Sequence, residues 1–282
     1  MPDPDNVIIR TYSDHADDYD QQSNLDSCWG QVAQRIVQLI SIKARYRLVV
    51  DVGCGAGQAL RELASRGSAA QFVGLEPAES MREHAIENLA GLENVNVSDG
   101  RFEDLPLETG SVDYLFSILA FHWVTDLERA AAELARVLKP DGELDIYFVG
   151  RDTGYEFVTK TTPIFIRHMG LGWIVESAKM RKHLTRDETE QLFLKVFPRD
   201  RLLVDELHET HYDDLDGHWS WWVSRLSGHF AKMPSEKREQ CDREAREAIA
   251  GLATADGIPF GVHLLHVRLR AVADDSQSQA TE

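Results

Sequence analysis

The stretch V49-V-D-V-G-C-G-A-G57 combines residue types that suit a ligand-binding turn. Glycines occupy positions 53, 55 and 57, directly after a run of β-branched residues and Asp51. Glycine lets a ligand approach the backbone closely, and the N-terminus of a following helix attracts an anionic group. One glycine would serve a structural turn, whereas three at alternate positions favour a ligand site. Cys54, inside this stretch, is interpreted as a small packing residue.

The elements that must position this turn alternate along the chain. Apolar runs predict strands at 47–52, 71–76, 94–98, 111–117 and 143–149, and helical spacing predicts helices at 57–67, 79–89 and 126–138. A turn is predicted at K139-P-D-G142. Strands that alternate with helices form parallel sheets with crossover helices, so the fold class is α/β, a doubly wound Rossmann-like sheet. In such sheets ligands bind outside the carboxyl ends of the strands.

The remaining sequence frames this core, which we place at residues 47–150. Residues 1–46 are predicted to form an N-terminal helical cap, with a helix at 29–40. Residues 151–272 are predicted to be the C-terminal half of the sheet, with strands at 201–212 and 258–270, a helix after the capping-box pattern T185-R-D-E188, and lid insertions at 151–184 and 215–255. Residues 273–282 are expected to be a disordered tail.

Composition excludes several classes of function. The net charge of −17 over 282 residues argues against nucleic-acid binding. No apolar run has the length of a membrane span and the N-terminus has no signal-peptide pattern, so we expect a cytoplasmic protein that contacts no membrane.

The three cysteines lack the spacing of metal ligands. The histidines that are close in sequence, His208 with His211 and His263 with His266, point to opposite faces of their predicted strands. We therefore expect no metal.

The glycine spacing separates two kinds of nucleotide ligand. A dinucleotide turn of the form G-x-G-x-x-G needs glycine at position 58, which is Gln58 here. The stretch 49–57 instead resembles the signature of class I S-adenosylmethionine (SAM)-dependent methyltransferases, in the type 11 methyltransferase-domain family. Four further segments are similar to motifs of that family in order and spacing: E76-P-A-E-S-M81, F102-E-D-L-P-L107, A120-F-H-W-V-T-D126 and L134-A-R-V-L-K-P-D-G142.

The resemblance implies a fold and a subgroup. The family topology is a mostly parallel seven-stranded sheet whose last strand, here near 258–270, is antiparallel. The F-H-W-V-T-D segment and G257-I-P-F-G-V-H-L-L-H-V267 most resemble the trans-aconitate and malonyl-carrier-protein methyl ester synthases.

The resemblance also implies SAM as cofactor and a set of residues that bind it. Glu76 would accept hydrogen bonds from the ribose, Met81 would lie against adenine, and Asp51 would organise the loop near the ammonium group. The full set is Asp51, Gly53, Gly55, Gly57, Glu76, Met81, Phe102, Glu103 and Ser117. One departure is Arg101, which stands where many members carry an acid for the adenine amino group, so that contact passes to Glu103 or is lost.

Catalytic and acceptor-binding residues are less constrained by the resemblance. The sulfonium donor is already activated, so a base is needed only if the acceptor carries a proton. His122 is the candidate catalytic residue, as a base or an orienting group, with a packing histidine as the alternative. Tyr12, Tyr19, Trp123 and Trp222 are the candidate substrate residues, although each also suits a packing role.

We therefore expect a SAM-dependent methyltransferase that acts on a small-molecule acceptor, possibly a carboxylate. A natural-product or quinone-type O-, N- or C-methyltransferase with a general base is the alternative enzyme. A non-catalytic SAM-binding module that uses the tryptophan-rich insertion for a protein partner is an alternative of another class. Gln58 disfavours a nicotinamide-dependent oxidoreductase. The oligomeric state stays open.

Overall fold

The protein is built on one seven-stranded sheet. The computed structural model describes residues 7–14, 26–172, 183–230 and 235–271, so the predicted tail, Tyr19 and part of the insertion at 151–184 lie outside the described residues. The strand order is β3-β2-β1-β4-β5-β7-β6. The strands are β1 (Leu48–Val52), β2 (Gln71–Leu75), β3 (Val95–Ser98), β4 (Val112–Ile118), β5 (Leu138–Val149), β6 (Leu202–Asp213) and β7 (Ile258–Leu269).

Helices connect these strands. They are α1 (Val7–Asp14), α2 (Cys28–Leu39), α3 (Gln58–Ser65), α4 (Glu79–Asn88), α5 (Leu127–Val137), α6 (Tyr155–Met169), α7 (Arg186–Phe193), α8 (Leu215–Phe230) and α9 (Ser235–Ala250), with a 3₁₀ turn at Phe121–Trp123. The predicted alternation over residues 47–149 is confirmed, and the boundaries differ by one or two residues at most elements.

The predicted topology is confirmed as well. Neighbouring strands among β1 to β5 pair in parallel. β7 lies between β5 and β6 and is antiparallel to both. The β-branched residues of β1 explain its central place, because Val49, Val50 and Val52 are fully buried. One face of the sheet is covered by α2, α3 and α4 and the other by α5 and α7, which makes the fold doubly wound.

The segment predicted as a turn at 139–142 lies inside β5, which begins at Leu138 opposite Val112. The paired residues advance by two in β4, from Val112 to Tyr114, and by five in β5, from Leu138 to Glu143, so residues 139–142 have no partner in β4. The chain turns back on itself here, since a Cβ on Gly142 would lie 3.0 Å from the backbone N and O of Lys139. The predicted turn is therefore present as an irregularity within the strand.

The C-terminal half extends the sheet and adds a helical layer. Thr185 and Glu188 form the predicted capping box, with Thr185 Oγ1 accepting from the N–H of Glu188 and the Glu188 carboxylate accepting from the N–H of Thr185. The layer of α6, α8 and α9 packs around Phe157 and Phe260. No helix within the described residues combines the length and the apolar composition needed to cross a bilayer.

Candidate active site

A cavity of about 300 Å³ opens at the carboxyl edge of the parallel strands, a volume within the range of small-ligand sites. Its floor is the β1–α3 turn. Its walls come from the ends of β2 and β4, from α1 and from one face of α2. We refer to it as the donor cavity. The topology places it where the order of strands reverses, since β1 lies between β2 and β4.

The three glycines of the β1–α3 turn adopt positive φ, but they have different structural roles. Gly53 (φ 77°) lets the turn meet the β4 end, because a Cβ there would lie 2.4 Å from the Cβ of Ala120. Gly55 (φ 56°) lines the cavity, where a Cβ would meet only the terminal methyl of Met81, at 3.4 Å. Glycine at 55 therefore leaves room for a ligand, whereas glycine at 53 allows close packing.

Two buried carboxyl groups face this cavity. Asp51 lies in β1, 2% exposed, and its Oδ1 makes no hydrogen bond with the described residues. Glu76 follows β2, and its two oxygens accept from the N–H groups of Gly55 (3.0 Å) and Ala78 (2.9 Å). Burial raises the pKa of Asp51 well above its ordinary value, and the charge of Glu76 raises it further. Burial also raises the pKa of Glu76, although the N–H groups of Ala78 and Gly55 oppose that rise.

Beyond Glu76 the cavity becomes largely apolar. Ala78, Met81 and Phe102 are all buried and line this part. Arg101 lines it as well, and it makes neither an ion pair nor a hydrogen bond through its side chain with any described residue. The Glu103 carboxylate is engaged, since its Oε1 accepts from the N–H and hydroxyl of Thr125, each at 2.9 Å.

These residues fit the donor that the sequence implies. SAM carries a cationic ammonium, a cationic sulfonium, a ribose diol and a flat adenine. The unpartnered Oδ1 of Asp51 suits a cation, and Glu76 keeps lone pairs beyond the two that accept backbone N–H groups. The apolar region around Met81 and Phe102 suits a ring. Asp51, Gly53, Gly55, Glu76, Met81, Phe102 and Glu103 all line the donor cavity.

Aromatic residues border the opening of the cavity. Tyr12 of α1 meets Trp123 of the 3₁₀ turn edge to face, with ring centroids 5.7 Å apart, and both rings line the cavity. Two of the predicted substrate residues are thus placed together. Tyr19, the third, lies outside the described residues.

Four predicted site residues lie outside the described lining of the cavity. Gly57 begins α3 and packs against α4, since a Cβ there would lie 2.8 Å from Leu89. The fully buried Ser117 donates its hydroxyl to the carbonyl of Val52, which ties β4 to β1. Trp222 packs against Phe157 and Phe260 in the helical layer.

His122 is the fourth of these residues, and its placement corrects the sequence-based expectation of a histidine at the cavity mouth. It is 4% exposed and does not line the cavity, although its neighbours Ala120, Trp123 and Val124 do. The 3₁₀ turn sends successive side chains in different directions, and the His122 ring lies 6.4 Å from that of His183. Proximity in sequence to the end of β4 therefore did not place this ring in the cavity.

Sequence reasoning also missed one wall of the cavity. Gly30, Ala33, Gln34 and Val37 of α2 line it, together with Trp29. The spacing i, i+3, i+4, i+7 is that of one helix face, so this signal was present in the sequence. The sequence-based prediction assigns residues 29–40 only to a helix of the N-terminal cap.

Comparison with known proteins identifies the core. Residues 50–146 match the family model described as a methyltransferase domain. The malonyl-[acyl-carrier protein] O-methyltransferase of Methylovorus sp. (strain MP688) is 30% identical over 153 residues, which are 52% of this chain and 51% of that protein. The enzyme of the same name from Geobacter sulfurreducens is 28% identical over 203 residues, 71% of this chain and 73% of that protein.

Solved structures show the same fold. A putative methyltransferase from Bacillus halodurans C-125 aligns with a TM-score of 0.58 at 16% identity, covering 86% of this chain and 99% of that one. The chain spans about half the length of the first curated relatives it matches. These likenesses agree with the resemblance seen in the sequence: residues 50–146 match a methyltransferase domain, and much of the donor cavity is built from that part of the chain.

Proposed function

We propose that this protein transfers a methyl group from SAM to a carboxylate oxygen of a small organic acid and so forms a methyl ester. One observation carries the proposal. The described lining of the donor cavity contains no histidine and no lysine, since His122 is buried behind this lining, with its ring 4.7 Å from that of Trp123. A carboxylate acceptor is already ionised at neutral pH and needs no general base.

The described lining also contains four acidic side chains. Asp51 and Glu76 flank the glycine turn, where they would face the cationic donor. The Oε1 of Glu103 accepts from Thr125, and the Oε1 of Glu62 accepts from Gln38 and Arg66. The second carboxylate oxygens of Glu103 and Glu62 make these two residues the candidates for a base if the acceptor carries a proton.

The chain's own residues would act by binding and orientation. SAM supplies a methyl group already activated by its sulfonium. Asp51 and Glu76 would hold the donor's cationic end and ribose, and the α2 face would limit the position of the acceptor. Arg101, the one cationic side chain in the described lining, borders the region that suits adenine and is not assigned to the acceptor. Correct alignment of acceptor and methyl accounts for most of the rate.

The relatives support this class of acceptor. Their name, malonyl-[acyl-carrier protein] O-methyltransferase, describes O-methylation of a malonyl group, which bears a carboxylate. A general-base enzyme, acting on a hydroxyl, nitrogen or carbon, would need Glu62, Glu103 or a residue from outside the described lining as its base.

Variants at His122 test the proposal. We expect His122→Ala to change kcat by less than about tenfold and kcat to stay nearly flat from about pH 6 to pH 9, because no proton leaves the acceptor. The control His84→Ala removes a histidine from α4, which does not line the cavity. A loss of about 100-fold or more in kcat for His122→Ala alone, or a rate that rises with pH through one ionisation, would contradict the proposal and favour a general base.

A further inference from the structure

Strands β6 and β7 bring together three side chains that are far apart in sequence. His208 lies directly opposite His263 in the antiparallel register, and Glu206 precedes His208 by two residues on the same face. Our sequence interpretation rejected metal binding because it compared histidines along one strand only. Across the two strands, one potential ligand atom from each of Glu206, His208 and His263 lies within 4.8 Å of the others.

We infer that Glu206, His208 and His263 form a binding site for a transition-metal ion of the zinc type, at the edge of the sheet and apart from the donor cavity. Two imidazoles and one carboxylate are ligands that Zn²⁺ accepts, at about 2.0–2.2 Å each. Neighbouring ligand atoms around tetrahedral zinc are then ~3.3 Å apart. The exposed side chains of Glu206 and His208 need to close by about 1 Å to reach that geometry.

His263 is the preorganised member of the site. Its side chain is 2% exposed, and its Nε2 makes no hydrogen bond with the described residues although it lies 3.3 Å from the Glu206 carboxylate. The ring is fixed against Gly150, where a Cβ would lie 2.5 Å from it.

The tautomer of His263 must change when a metal binds. Its Nδ1 accepts from the N–H of Asp152 at 3.2 Å, so the ring without metal carries its proton on Nε2. Coordination through Nε2 requires the proton to be on Nδ1, so the hydrogen bond from the N–H of Asp152 breaks and the backbone there shifts to separate the two N–H groups. The Asp152 carboxylate, 3.9 Å from Nδ1, is the group that would then accept a hydrogen bond from Nδ1–H. This arrangement is the carboxylate–histidine–metal pattern that orients ligating histidines.

The ring of His208 must also move. It stacks on that of His263 with centroids 4.4 Å apart and an interplanar angle of 11°. Nitrogen lone pairs lie in the ring plane, so two parallel rings cannot both direct them at one ion. His208 is exposed and can rotate, and a water completes the fourth position.

Calorimetric titration of the metal-stripped full chain with ZnCl₂ tests the inference. We expect one ion per chain with micromolar affinity or tighter, and Co²⁺ should give the absorption of a tetrahedral site. His208→Gln and Glu206→Gln should each weaken binding by about tenfold or more, and Asp152→Ala by about tenfold. The controls are His211→Gln and Glu209→Gln, which lie on the opposite face of β6.

The possible outcomes distinguish a specific zinc site from adventitious binding. None of the three ligands lines the donor cavity, so zinc should leave the affinity for S-adenosylhomocysteine unchanged while raising the Tm. Equal zinc affinity in His208→Gln and His211→Gln would show adventitious binding and overturn the inference. So would the lack of a one-to-one stoichiometry. Because zinc is titrated without donor or acceptor, failure here leaves the methyl-transfer proposal untouched.

Discussion

At the scale of single residues, Asp51 and Glu76 link the stability of the protein to its ligand. Both carboxyl groups are buried in the wall of the donor cavity, and neither forms an ion pair with a described residue. Burying an unpaired charge costs free energy, which is why the pKa of each is raised. A cationic donor would supply the missing opposite charge. The two carboxyl groups therefore favour donor binding and lower the stability of the ligand-free protein.

The sign of the pH effect follows from the raised pKa values. A folded state that holds a proton more tightly than the unfolded state loses stability as the pH rises through its folded pKa. The contribution of Asp51 and Glu76 to stability without ligand is therefore greatest below about pH 4, where the unfolded carboxyl groups are protonated as well, and it decreases as the pH rises. Donor affinity has the opposite pH dependence. It requires the ionised carboxylates and therefore falls as the pH decreases.

Asp51→Asn separates the two effects. We expect the Tm of the ligand-free protein to rise by about 2 °C or more, because a buried charge is removed. Affinity for S-adenosylhomocysteine should fall by about tenfold or more, since a hydrogen bond to a charged group is lost. Differential scanning calorimetry and titration calorimetry measure the two quantities.

The control for this prediction is Asp113→Asn. Burial tends to raise the pKa of Asp113, but the Lys139 ammonium and the N–H groups of Leu48 and Arg47 lower it by more. Its neutralisation should therefore reduce the Tm and leave donor affinity unchanged. An Asp51→Asn protein that melts below wild type and binds the ligand as tightly would refute this account of the cavity.

At the scale of elements, the β1–α3 turn determines whether the donor cavity can hold a ligand. Each of its glycines has a distinct neighbour: Ala120 for Gly53, Met81 for Gly55 and Leu89 for Gly57. Only at Gly55 would a larger side chain point into the cavity with little else displaced. The turn therefore packs closely against other residues at Gly53 and Gly57, whereas at Gly55 it leaves the cavity open to a ligand.

Gly55→Asp should abolish donor binding and spare the fold. The added carboxylate enters the cavity beside Asp51 and Glu76, so we expect affinity for S-adenosylhomocysteine to fall by about 100-fold or more through steric and charge conflict. Titration calorimetry measures the loss, and circular dichroism follows the fold.

Gly91→Asp is the matched control for that variant. Gly91 also has a positive φ, of 95°, and an added Cβ there would meet nothing within 4 Å. The two variants therefore share the backbone penalty of a non-glycine residue at positive φ. Near wild-type donor affinity in Gly55→Asp would place the donor somewhere other than this cavity.

The sequence predicted those parts of the site that depend on local pattern. Asp51 and Glu76 were identified through the resemblance of their segments to family motifs, and each segment lies at the end of an apolar run that the parallel topology brings to one edge of the sheet. His122 was misplaced because the direction of a side chain in a 3₁₀ turn depends on the packing of Phe121 against Phe148 and Phe193. The pairing of His208 with His263 needs the β6–β7 register, which no local pattern supplies.

At the scale of the whole molecule, chain topology and charge constrain what can be methylated. In this doubly wound sheet the donor cavity lies at the carboxyl edge of the parallel strands. Residues of α1, α2 and the 3₁₀ turn border the cavity and so restrict the direction from which an acceptor can enter. The net charge of −17 disfavours polyanionic acceptors such as nucleic acids. The small organic acid proposed as acceptor agrees with both features.

The central claim is that the transferred methyl becomes an ester, and the most direct test is the fate of that methyl group. Wild-type protein is incubated with methyl-labelled SAM and a set of small organic acids, with Gly55→Asp as the blank, and the products are treated with mild base. The account predicts about one labelled methanol released for each methyl transferred, because esters hydrolyse under these conditions. Label that is transferred but stays bound to its product in base would contradict it, since the methyl would then lie on a hydroxyl oxygen, a nitrogen or a carbon.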